Sequence, residues 1–178
     1  MKKLIVSVLL CSVLSSCIVS TAAKVVKTTA KVAVGTVKVA AKGTGWVIQK
    51  ANGKINEDRL NGKWKVVGFY RGTFDEFSAT ENPENLFTCT SGDEIYEFKM
   101  NKEKMWHYDC GSSDGQKFKI KYSFEKNDET KSKENMVTYG PGYFTIINVT
   151  GDKLVLEGYF AQDNGNKIKS ICTLEKTR

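Results

Sequence analysis

Residues 55–178 predict an all-β fold: an antiparallel up-and-down meander closing into a barrel of about eight strands. Three observations predict it. From Leu60 onward apolar and polar residues alternate, as strands with one buried face require. Gly, Asn and Asp punctuate the chain at short intervals. No stretch of this region repeats its apolar residues at helical spacing. A two-sheet sandwich is the competing arrangement; a closed barrel has the advantage of leaving no exposed strand edge.

The expected strands follow in order. The first spans 62–71 and the second 86–91. Tyr96, Phe98 and Met100 share one strand face. After a tight turn at Asn101-Lys102, Trp106, Tyr108 and Cys110 share another, which is assigned to the interior. That assignment turns His107 and Asp109 to solvent. Phe118, Ile120, Tyr122 and Phe124 alternate cleanly with polar residues. Strands near 135–139 and 143–149 flank Gly140-Pro141-Gly142, and Gly151-Asp152 precedes Leu154, Leu156 and Phe160. Asp163-Asn164-Gly165-Asn166 is a hairpin signal, after which Ile168, Cys172 and Leu174 complete the set. A barrel of eight strands is filled by side chains or holds one small ligand. The candidate interior lining is Trp64, Tyr96, Phe98, Trp106, Tyr108, Phe118, Tyr122 and Phe124. So many rings predict a small cavity.

The N-terminus has a different character. Met1-Lys2-Lys3 is a short positive segment, and 4–14 is an apolar run of eleven residues. That is short of the roughly 20 residues needed to span a bilayer, but ordinary for an export signal. Leu14-Ser15-Ser16-Cys17 follows. This motif resembles the lipobox of bacterial lipoproteins. The resemblance implies a signal peptide over 1–16 and Cys17 as the first mature residue, acylated by palmitate-type chains. An ordinary signal peptide with an incidental cysteine is the alternative. Ile18, where inner-membrane retention uses Asp, implies the outer membrane, with the rest of the chain in the periplasm.

Residues 17–54 read as a basic Ala/Val/Lys tether. Lys24, Lys27, Lys31, Lys38 and Lys42 fall within about 60° on a helical wheel, which suits an amphipathic helix lying on an anionic membrane. Val, Thr and the glycines at 35, 43 and 45 suit a flexible tether equally, and a helix packed on protein is a third arrangement. Gly43-Thr44-Gly45 ends whatever precedes it.

Leu60-Asn61-Gly62-Lys63-Trp64 opens the first barrel strand. Its Gly62-x-Trp64 element resembles the signature of lipocalins, and Cys89 to Phe98 before a hairpin is similar to the short lipocalin-like domains of bacterial lipoproteins. The resemblance covers about 58–178 and implies a lipocalin-like barrel whose Trp64 plugs the closed end. In that family a late-strand arginine packs on the tryptophan; no arginine here matches it.

The formal net charge of +7 is unevenly placed. The first 50 residues hold eight lysines and no acid, whereas 51–178 hold 19 basic and 20 acidic side chains. The part that folds is near neutral, so a nucleic-acid-binding domain is not expected. One histidine in the chain provides no metal cluster, no cofactor is expected, and neither an acid–base pair nor a Cys–His nucleophile is convincing. An enzyme is not expected. In an oxidising compartment, Cys89, Cys110 and Cys172 allow one bridge. Cys89–Cys110 across the hairpin is favoured, with Cys110–Cys172, or no bridge, as alternatives. Two functions fit. One is a membrane-anchored envelope lipoprotein binding a small apolar ligand or lipid. The other is a protein-binding scaffold or enzyme inhibitor with a filled barrel, using 71–85 and 127–135 as contact surfaces.

Overall fold

The computed structural model describes residues 38–41, 46–140, 142–163 and 165–177. The export signal, the Leu14-Ser15-Ser16-Cys17 motif and the lysines before residue 38 lie outside the described residues.

The tether expectation is corrected at its end. β1 (Lys38–Ala41) and β2 (Trp46–Gln49) form an antiparallel hairpin, neither a helix nor a structureless linker. Val39 on one side and Trp46, Val47 and Ile48 on the other of a glycine-containing connection favour that outcome. The folded region also starts earlier than residue 55. Ile48 is buried, and the Ala51 N–H donates to the Ile147 carbonyl at 2.7 Å.

The remaining strands are β3 (Gly62–Arg71), β4 (Ile95–Lys99), β5 (Lys104–Tyr108), β6 (Gly115–Lys126), β7 (Lys133–Tyr139), β8 (Gly142–Val149), β9 (Lys153–Gly158), β10 (Gln162–Asp163), β11 (Asn166–Lys167) and β12 (Ser170–Lys176). Eight of them close an antiparallel barrel in the order β12-β3-β4-β5-β6-β7-β8-β9, the form expected of a lipocalin-like domain. β10 and β11 make a separate hairpin at the 163–166 turn.

Two local expectations fail. Residues 86–91 form no strand. Asn85 instead accepts the Phe69 N–H at 3.1 Å and the Phe87 N–H at 3.0 Å, while the Leu86 N–H donates to the Phe69 carbonyl. The segment is thus pinned to the end of β3 by a side chain rather than a ladder. A short helix, α1 (Phe74–Ala79), also lies within a region expected to hold none. Thr73 and Glu76 form a reciprocal capping box, and Glu157 Oε2 accepts the Phe74 N–H at 2.8 Å.

Two apolar cores result. The interior one includes Leu60, Trp64, Val66, Phe98, Met105, Ile120, Val137, Ile146, Leu154, Leu156, Cys172 and Leu174. The second lies outside the wall: Ile48, Phe74 and Phe77 pack on Tyr70, Ile147, Val155 and Ile171. The wall made by β3, β8, β9 and β12 is therefore covered on both faces. Register steps over Val67 and over Ile147 deliver both residues to that outer core.

The closed end is built from the segment before β3. The 3-10 turn Glu57–Leu60 is capped by Asn56. Trp64 is wholly buried, and its Nε1–H donates to the Leu60 carbonyl at 2.7 Å. Asn135 ties the preceding strap to the barrel: it accepts from the Ile55 N–H and the Tyr122 hydroxyl and donates to the Gly53 carbonyl. Lys176 on β12 places Nζ 5.0 Å from the Trp64 ring centroid, so a lysine occupies the position for which no arginine was found.

Candidate functional site

At the opposite end the barrel is hollow. A cavity of about 620 Å³ opens where β3 and β5 finish and β4 and β6 begin. That is well within the range of small-molecule sites. The expectation of a small cavity is corrected: aliphatic side chains fill the Trp64 end beside Trp64 and Phe98, and most of the interior rings line, rather than fill, the other.

The lining is an aromatic belt. Phe87 meets Phe69 edge-on at 5.4 Å, and Phe69 stacks on Phe160 at 6.2 Å. Phe160 continues to Tyr96 and Phe144, and Phe144 through Tyr139 to Phe118. Gly158 makes room for it: a Cβ there would come within 3.0 Å of the Phe160 ring and 3.1 Å of Phe144.

One wall of the mouth is polar. His107 stacks on Tyr96 with ring centroids 4.3 Å apart. Its Nε2 lies 2.8 Å from Glu94 Oε1, and its Nδ1 lies 3.7 Å from Asp109 Oδ1. An ionised carboxylate only accepts, so Nε2 carries the hydrogen of the Glu94 bond. Burial pushes the Tyr96 hydroxyl well above the usual phenol range, and the charge of Glu94 adds to it. Cys172, buried in the interior, is raised first by burial and then by the charge of Glu94. Among the described residues, no group of three or more His, Cys, Asp or Glu side chains is placed to hold a metal ion.

Of the residues singled out from sequence, Cys17 lies outside the described residues. Cys89 and Cys110 are disulfide-bonded with Cα atoms 5.5 Å apart, and both line the cavity. Tyr96 and Phe118 line it too. Trp64 and Phe98 do not; they are buried in the filled part, Phe98 edge-on to Phe144 at 6.1 Å. Tyr122 serves the Asn135 network, and half-buried Phe124 pairs with Asn135 away from the cavity.

Trp106 and Tyr108 are corrections. Both face outward, and His107, expected at the surface, faces in. The register dictates this, because Phe98 pairs with Met105 and Tyr96 with His107, and directly paired residues share a face. Outside, Trp106 is flanked by Lys99 and Lys117, whose Nζ atoms lie 4.8 and 5.9 Å from its ring centroid. The Tyr108 hydroxyl donates to Glu97 at 3.2 Å. Gly115 opposite has no side chain to displace that ring.

Glu94, His107, Phe69, Phe87, Phe144 and Phe160 are lining residues that the sequence-based set omits. For His107 the signal was the hairpin register. For Phe144 and Phe160 there was only their place in apolar runs.

The segments 71–85 and 127–135, expected as contact surfaces, are anchored to the domain at a few residues and otherwise mostly exposed. α1 packs on the outer core. Asn127 and Thr130 donate to the buried Glu134, and Glu129 accepts from Lys169 at 2.8 Å.

No family model matches the chain, and no match is found among curated proteins or solved structures.

Proposed function

We propose that this is a lipid-anchored protein of the bacterial envelope whose lipocalin-like barrel binds a small, largely apolar molecule. The anchor rests on Leu14-Ser15-Ser16-Cys17 behind a charged, apolar leader, and the lysine-rich segment after it suits anionic headgroups. The binding activity rests on one observation: a cavity of about 620 Å³ walled by a continuous aromatic belt at one end of a closed barrel. The belt offers burial for a planar or branched apolar body. Glu94, His107 and Gln116 offer polar contacts at the mouth. A filled barrel, the premise of the protein-binding alternative, is not what lies at this end.

Two experiments test the proposal. Native mass spectrometry of the full-length protein, extracted from its host in mild detergent, is expected to show a bound small molecule that Gly158→Phe removes. A protein without ligand in every preparation, and binding no apolar probe, rejects the carrier function. Metabolic labelling with a palmitate analogue is expected to mark the wild type but not Cys17→Ser; equal labelling of both rejects the anchor.

A further inference from the structure

We propose that the ligand carries a protonated amine head, held at the mouth of the cavity by Glu94 while its apolar body lies within the aromatic belt. This rests on the small-ligand reading above and specifies the ligand class.

The geometry at Glu94 is the basis. The side chain is 14 % exposed, and Oε1 is committed to His107 Nε2 at 2.8 Å. Among the described residues, no second hydrogen bond is made to this carboxylate. A carboxylate has room for about four donors, so Glu94, which lines the cavity, keeps capacity to accept from what enters it. A ligand that displaces water from that oxygen without donating to it would leave a half-buried charge unsatisfied. The other acid nearby, Asp109, stands at the rim, 82 % exposed. The opposing cations are few: Lys167 is at the exposed edge, and His107 already donates to Glu94.

The belt favours the same sign of charge. Ring faces are the negative side of the aromatic quadrupole, and a cation within about 6 Å of one is attracted to it. The Tyr96 ring forms part of the same wall as Glu94 and His107. An anionic head would instead meet Glu94 where little water screens the repulsion. Burial raises the Tyr96 hydroxyl and the Cys172 thiol, and the charge of Glu94 adds to it in the same direction, as a negative site facing the barrel would.

Three probes with one body separate the possibilities: naphthalen-1-ylmethylamine, naphthalen-1-ylmethanol and 1-naphthoic acid, each titrated calorimetrically into the full-length protein at neutral pH. The amine is expected to bind about tenfold or more tighter than the alcohol, as a charge-assisted hydrogen bond outweighs a neutral one, and the acid weakest. Glu94→Gln is expected to abolish that preference, bringing the amine down to about the affinity of the alcohol for the same variant. An alcohol that binds as tightly as the amine, or an acid that binds best, overturns the inference and leaves the carrier function standing. If none of the three binds, both fall. The head-group series on the unmodified protein separates these outcomes even where Glu94→Gln fails to fold.

Discussion

The barrel wall has two unlike halves. Along β3, β8, β9 and β12 both faces are buried, one against the interior and one beneath the hairpin, α1 and their shared outer core. Along β4, β5 and β6 the outer face meets water and carries Lys99, Lys104, Lys117, Lys119 and Lys121 around Trp106. The sequences differ accordingly. β8, β9 and β12 contain unbroken buried runs over 144–147, 154–156 and 170–174, rich in Ile, Leu, Val and Phe, whereas β6 alternates. The halves also contribute differently to the cavity: the thin half supplies the polar wall of Glu94 and His107, and the thick half, with the residues just after β9, supplies Phe69, Phe144 and Phe160 of the aromatic belt.

If covering the wall is what stabilises the fold, Phe77→Ala should have the largest effect. Phe77 is 1 % exposed in the outer core, and its loss is expected to lower stability by about 3–5 kcal/mol in urea titration. A loss under about 1 kcal/mol would mean that the outer core is decoration. On the thin half, the bridge should matter next. Replacing Cys89 and Cys110 by Ser releases a loop with a sequence separation of 21, with an expected loss of about 3 kcal/mol by calorimetry. Hydrogen exchange should rise in 85–94 more than in β8 or β9.

A smaller effect concerns pH. Glu97 is held below its usual range, first by the hydrogen bond from Lys99 and then by that cation's charge, against a burial penalty. A depressed carboxylate contributes stability above its unfolded value, near pH 4.3, and loses it as pH falls through the lower folded value. Acid titration of Glu97→Gln should therefore show a shallower loss below about pH 4 than wild type; parallel curves would contradict it. The smallest change is expected for Trp106→Ala. Two lysines over a half-exposed ring are worth about 1 kcal/mol or less. A loss as large as that for Phe77→Ala would erase the distinction between the halves.

How much was legible in sequence follows the same division. β6 could be read directly, because Phe118, Ile120 and Tyr122 alternate with lysines. β5 could not be read from side-chain size, since Met105 and His107 face in while the bulkier Trp106 and Tyr108 face out, shielded by lysine stems. A turn at Asn101-Lys102 already pairs Tyr96 with His107, so register was the better guide. On the thick half the alternation is absent because both faces are buried, and nothing local distinguishes Ile146 inside from Ile147 outside. α1 announced itself only through Thr73-Phe74-Asp75-Glu76, a capping box in an otherwise strand-rich stretch. The cavity was hidden for a different reason. Its volume depends on whether the rings line the interior or fill it, and composition does not record that.

The pairing of β12 with β3 has a consequence in time. Thr173 on the last strand donates to the Gly68 carbonyl on the first, 105 residues away, and Lys176 pairs with Trp64. Synthesis delivers β12 last, so until then β3 and β9 each present a bare edge and the ring of strands stays open. Closing so distant a pair is slow. A nascent chain of this kind remains threadable until its final strand arrives, and a nonsense change anywhere in β12 would release a sheet with two adhesive borders instead of a slightly weakened barrel.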